Sequence, residues 1–123
     1  MSDERTTVAE LRARIADFVA QREWQPFHDP KNLAMAIAVE AAELMEHFQW
    51  ARSEQLAELV AEPGLRSQVT DELADVLAFV LALANVLDID LSDALRAKMV
   101  KNAAKYPADA VRGTYRKPPR ADA

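Results

Sequence analysis

The segment from about Leu65 to Leu87 constrains this chain more than any other feature. After Asp75 it is apolar nearly all round. Leu73, Val76, Leu77, Phe79, Val80, Leu81, Leu83 and Leu87 cover more of a helical circumference than one neighbouring helix can bury. Its longest uninterrupted apolar run, 76–84, is about half of what a bilayer span requires, so its partners are expected to be protein and not lipid. A helix of this kind needs several neighbours, which points to a helical bundle and predicts that copies of the chain associate through it.

Strand-rich alternatives lack their parts. The chain has 2 glycines in 123 residues, Gly64 and Gly113, so tight hairpin turns and glycine-rich phosphate loops have almost nothing to be built from. Helix-start signals recur instead. Thr7 followed by Glu10 has capping-box spacing, and Leu11, Ile15, Phe18 and Val19 then repeat at helical intervals, predicting a helix over 7–23. Asp29 before Pro30 opens a second, over 30–49. A short third helix begins at Ser53 and is expected to end at Pro63 and Gly64, and the apolar helix over 65–87 is the fourth. Asp90 or Ser92 caps a fifth, which must stop before Pro107. The expected architecture is an all-α, oligomeric bundle of about four to five helices over residues 1–106, with an irregular basic tail over 107–123.

Composition narrows the function. Half of the residues are hydrophobic, which excludes disorder throughout. Asp plus Glu number 20 against 15 Lys plus Arg, a net charge of -5 that argues against a nucleic-acid polymer as partner. The absence of cysteine removes disulfides, thiolate zinc sites and cysteine nucleophiles, and fits a reducing compartment. The polar start, Met1 to Arg5, does not read as a secretory signal; the expected address is cytoplasmic, away from membranes.

Four acids carry the chemistry. Glu40 and Glu43 lie on the second helix and Glu72 and Asp75 on the fourth, each pair at i, i+3 and therefore about one turn apart on one face. Both pairs sit in apolar, small-residue surroundings. Packed through those faces, the four carboxylates would meet in a poorly solvated place, where like charge and desolvation disfavour ionisation. A divalent cation resolves that conflict. Oxygen-only ligation selects a hard ion, Mg²⁺ with Mn²⁺ as substitute, and the site then suggests metal-assisted phosphate chemistry. A carboxylate-bridged di-iron centre wants Glu-x-x-His on two helices, whereas His47 follows Glu43 by four, and the chain has 2 histidines. Glu46 and Asp71 flank the set as outer partners or surface charges.

The fifth helix carries Lys98, Asn102 and Tyr106 at i, i+4 and i+8. A cation, an amide and a phenol so spaced can hold a triphosphate and a sugar, or they are a solvated lysine and an end-of-helix aromatic. Trp24 and Trp50, just outside the first and second helices, can stack a nucleobase or serve as packing anchors. His28 in the connecting loop can contact base or phosphate, or face solvent.

The runs Arg22-Glu-Trp-Gln-Pro-Phe-His-Asp-Pro-Lys-Asn-Leu, Glu40-Ala-Ala-Glu43, Phe48-Gln-Trp50, Asp71-Glu-Leu-Ala-Asp75 and Lys98-Met-Val-Lys-Asn102-Ala-Ala-Lys-Tyr106-Pro together resemble the MazG-like all-α nucleoside triphosphate pyrophosphohydrolases, most closely their dCTP pyrophosphatase branch. The resemblance covers about Leu11 to Pro107. It implies an enzyme that hydrolyses a nucleoside triphosphate between the α and β phosphates, giving monophosphate and pyrophosphate. On that reading Glu40, Glu43, Glu72 and Asp75 hold Mg²⁺, and Lys98, Asn102 and Tyr106 bind phosphates and sugar. Trp24 and Trp50 line the cytosine pocket with His28 nearby, and the assembly is a homotetramer or a dimer. In the implied chemistry water attacks the α-phosphorus in line, Glu43 is the first choice to accept its proton, and Lys98 offsets charge on the leaving pyrophosphate. Ile15 stands where similar animal chains carry a histidine, which bears on base preference. The rival readings are a pyrophosphatase for dUTP, phosphoribosyl-ATP or oxidised nucleotides, and a non-catalytic helical oligomer that binds nucleotide or protein.

Overall fold

The structure, a computed structural model, describes residues 1–116. The chain divides into two compact units, Met1–Asp88 and the residues from Ile89 onward. Among the described residues every regular element is helical.

In the first unit, α1 (Val8–Gln21) starts on the expected capping box: the Thr7 hydroxyl accepts from the Glu10 N–H, and the Glu10 carboxylate accepts from the Thr7 N–H. A 3-10 turn at Gln25–Phe27 leads to α2 (Pro30–Glu46), whose N-cap Asp29 accepts from the Asn32 N–H at 2.8 Å. A second 3-10 turn, Ser53–Gln55, runs into α3 (Leu56–Ala61), and α4 spans Pro63–Leu87.

Pro63 and Gly64 are not a break before α4 but its first turn. Proline loses nothing at the first helical position, where its missing N–H would have had no partner. Glu62 supplies the cap, its carboxylate accepting from the Gly64 N–H at 3.0 Å and the Leu65 N–H at 2.7 Å. Those two bonds to the ionised form hold the Glu62 carboxyl below its ordinary value. At the far end, Asp88 closes α4 in the left-handed conformation, at φ 52°.

α4 is the central helix, packed principally against α2 and then α1. Val19, Leu33, Leu81, Ala82 and Ala84 are buried, the alanines letting neighbouring backbones approach. Arg12 on α1 and Asn85 on α4 bond reciprocally. Arg12 Nε donates to Asn85 Oδ1 at 2.9 Å, Arg12 Nη2 to the Ala84 carbonyl at 3.2 Å, and Asn85 Nδ2 to the Arg12 carbonyl at 3.0 Å. The excess of apolar residues on α4 is visible: Leu81 is buried, yet Leu73 is 58% exposed and Leu77 47%. On α2, Met35 and Val39 are likewise exposed, at i, i+4 on one face.

The second unit holds α5 (Leu91–Lys105), capped by Asp90, whose carboxylate accepts from the Asp93 N–H at 2.9 Å. Pro107 ends α5 as expected but also opens a one-turn α6 (Ala108–Val111), so the stretch expected to be irregular starts with a short helix. Residues 117–123 of the expected tail lie outside the described residues. Among the described residues, no helix is long and apolar enough to cross a membrane.

Candidate metal centre

The packing of α2 against α4 brings three of the four singled-out acids together. Glu40, Glu43 and Glu72 each place a carboxylate oxygen so that the three lie within 4.8 Å of one another, and all three side chains are half-buried. Asp75 does not join the triad. It is exposed, although its charge still reaches Glu40. Glu46 and Asp71 are exposed as well.

The electrostatics are those of clustered carboxylates. Glu40 is pushed up from 4.5 to about 7, first by burial, then by the hydrogen bond to Glu43 and the charges of Glu43 and Asp75. As carboxylates, Glu40 and Glu72 each leave Oε2 buried with no hydrogen-bond partner. A proton on Glu40 relieves part of this by turning that carboxyl into a donor toward its neighbours; a cation would relieve all of it. The donor set is all oxygen. An octahedral Mg²⁺ or Mn²⁺ with ligands at about 2.1 Å sets neighbouring ligands about 3 Å apart, so oxygens that lie within 4.8 Å of one another close by up to about 1.8 Å, within the reach of glutamate side-chain rotation. The residues present therefore suit a hard divalent ion.

One neighbour was legible only as a mismatch to a di-iron pattern. His47, the C-cap residue of α2, keeps helical backbone angles four residues after Glu43 and so continues that face, placing Nε2 3.9 Å from Glu72 Oε1.

The remaining candidates are more dispersed. Trp24 packs edge-on to Phe18, with ring centroids 5.8 Å apart, and tilts over His28 at 6.4 Å. Beside them a cleft of about 370 Å³ is lined by residues that include Ile15, Val19, Gln25, His28, Asn85 and Val86. His28 thus lies where it can meet a small ligand, but neither tryptophan lines the cleft. Asp17, Gln25 and Asn85, its other polar members, were not singled out from the sequence. Trp50 is 88% exposed in the turn after α2. Lys98, Asn102 and Tyr106 belong to the second unit, where Asn102 and Tyr106 are half-buried and successive on one helical edge: the Tyr106 N–H donates to the Asn102 carbonyl at 2.8 Å.

Known proteins are similar to this chain in sequence and fold. The MazG-like family pattern matches residues 35–117. dCTP pyrophosphatase 1 from Homo sapiens is 38% identical over 111 residues, 90% of this chain and 65% of that protein, and its Bos taurus counterpart is 37% identical over 108 residues, 88% and 64%. The chain thus spans just under two thirds of the length of these mammalian relatives. A dATP/dGTP diphosphohydrolase from Cyanophage S-2L is 34% identical over 116 residues, 94% of this chain and 92% of the phage protein. Among solved structures, a pyrophosphatase from Archaeoglobus fulgidus superposes with a TM-score of 0.77 at 38% identity, covering 87% of this chain and 98% of that one. Sequence pattern, relatives and superposition converge on one lineage: this chain belongs to the MazG-like family.

Proposed function

We propose that the protein is a Mg²⁺-dependent nucleoside triphosphate pyrophosphohydrolase, cleaving between the α and β phosphates of dCTP or a related deoxynucleotide to give the monophosphate and pyrophosphate. The observation that carries this reading is the Glu40, Glu43 and Glu72 triad, whose buried, unpartnered oxygens and raised Glu40 call for a cation. The names of the relatives supply the substrate class.

Glu40, Glu43 and Glu72 would hold the ion, with Asp75 adding negative charge at its edge. Mg²⁺ there would supply neutralisation of phosphate charge and acidification of a bound water. Glu43 is the first choice to accept the proton of the attacking water. Lys98, Asn102 and Tyr106 are assigned to phosphates and sugar, Lys98 offsetting charge on the leaving pyrophosphate. Trp24, His28 and Trp50 are assigned to the base. The half-packed Trp24 and the bare Trp50 are surfaces on which a base ring can stack.

A purine deoxynucleotide is the second substrate reading, favoured by the phage relative that matches along 92% of its length. The exposed pairs Met35/Val39 and Leu73/Leu77 support association of copies into a homotetramer or dimer, because a stripe of that kind on both α2 and α4 is unfavourable in water. The deciding experiment incubates the protein with dCTP, dUTP, dATP and dGTP in Mg²⁺ and measures pyrophosphate release. Release from a deoxynucleotide is expected; no release from any of them, with Mg²⁺ or Mn²⁺, overturns the reading.

A further inference from the structure

We propose that His47 is a positioning residue of the metal centre: its imidazole holds the Glu72 carboxylate by Oε1 and leaves the buried Oε2 directed to the ion. The inference rests on the metal reading above.

Within the Glu40, Glu43 and Glu72 triad, Glu72 is the acid with a side-chain nitrogen within 4 Å. Its Oε1 lies 3.9 Å from His47 Nε2, and both side chains are largely withdrawn from solvent, at 21% and 20% exposure. Its Oε2 is buried and, with the neighbouring acids ionised, has no hydrogen-bond partner. One carboxylate therefore presents one oxygen to a possible donor and keeps the other unsatisfied. That is the division of labour of a metal-binding carboxylate whose second oxygen is anchored by a hydrogen bond. His47 can serve because Glu40, Glu43 and His47 are spaced i, i+3, i+7 and share one face of α2, while Glu72 comes from α4. The anchor thus ties the ligand on α4 to the helix that carries the other two. His47 lies outside the group of donors within 4.8 Å, so it is assigned to Glu72 and not to the ion. At 3.9 Å the contact is too long for a hydrogen bond; side-chain rotation of about 1 Å closes it in the tautomer with the proton on Nε2, as Glu72 settles on the ion.

The test is Mn²⁺ binding to the full chain, without nucleotide, followed by loss of the free Mn²⁺ electron paramagnetic resonance signal. Wild type, His47→Leu, His47→Gln and Glu72→Gln are compared with the double variant His47→Leu/Glu72→Gln. His47→Leu should weaken Mn²⁺ binding about 10- to 100-fold, with an unchanged helical circular dichroism spectrum. His47→Gln, whose amide N–H can take the place of Nε2–H, should restore affinity to within a few-fold. In the Glu72→Gln background His47→Leu should add almost nothing. Equal affinity of wild type and His47→Leu overturns the positioning role, as does Gln failing to rescue, or a full-sized effect in the Glu72→Gln background. Absence of Mn²⁺ binding by the wild type instead overturns the metal reading itself, and this role with it.

Discussion

The raised Glu40 makes metal binding a proton-releasing event, and its size follows from the structure. Glu40 ionises at about 7 in the metal-free site because burial and the charges of Glu43 and Asp75 disfavour its anion. A cation requires that anion. Most of a proton per site should therefore be released on loading at a pH well below 7, and little of one at a pH well above it. Apparent affinity should fall about tenfold per pH unit once below 7. Isothermal titration with Mn²⁺ in three buffers of different ionisation enthalpy reads the proton count directly, as the slope of observed against buffer enthalpy. Glu40→Gln should bring that slope near zero at every pH. A wild-type slope near zero at pH 6, or one that Glu40→Gln leaves unchanged, refutes the assignment. The same shift has a stability counterpart of definite sign. Since the folded Glu40 binds its proton more tightly than an unfolded glutamate, its contribution is complete below pH 4.5 and is lost as pH rises toward 7. The Tm of metal-free protein should therefore drop across that window relative to Glu40→Gln, and Mn²⁺ should reverse the drop.

The other expectations are simpler. Glu43→Gln and Asp75→Asn should each reduce pyrophosphate release more than tenfold without changing helical circular dichroism; retention of more than about a tenth of activity, under about 1.4 kcal/mol of transition-state loss, counts against a direct role. Trp50→Ala should mainly raise KM in steady-state assays, because stacking holds ground and transition states alike, and a kcat effect of the same size would contradict that. Asn85→Ala removes the two bonds that the Asn85 side chain makes to Arg12, leaving Arg12 Nη2 on the Ala84 carbonyl, and should cost about 2 kcal/mol in urea unfolding. A change below about 0.5 kcal/mol would mean that water replaces them at no cost.

Much of this was readable because local chemistry and tertiary packing agree. Thr7 with Glu10, and Asp29 with Pro30, place helix starts within a residue, since each cap satisfies backbone groups that nothing else would. The acids on α2 and Glu72 on α4 were legible from charge set in apolar sequence. One feature misled. Pro63-Gly64 reads equally as a stop or a start, and what decides is the Glu62 carboxylate reaching two N–H groups, a matter of side-chain geometry. The i, i+3 spacing of Glu72 and Asp75 puts them within about 60° of each other but also about 4.5 Å apart along the axis. That offset is enough to leave Asp75 exposed while Glu72 meets α2. His47 and Asn85 were unreadable for a different reason, since each acquires its meaning from a partner on another helix.

The Arg12–Asn85 bonds join positions 73 residues apart, whereas Glu40 and Glu72 are separated by 72 − 40 = 32. Closing the longer loop costs about 0.7 kcal/mol more in chain entropy, so the α2–α4 pair has the advantage in forming first and α1 latches onto it afterwards. A latch made late is absent from the rate-limiting barrier. The loss caused by Asn85→Ala should accordingly surface as faster unfolding, with refolding hardly slowed, making the first helix the place where this molecule's lifetime, as distinct from its assembly speed, is set.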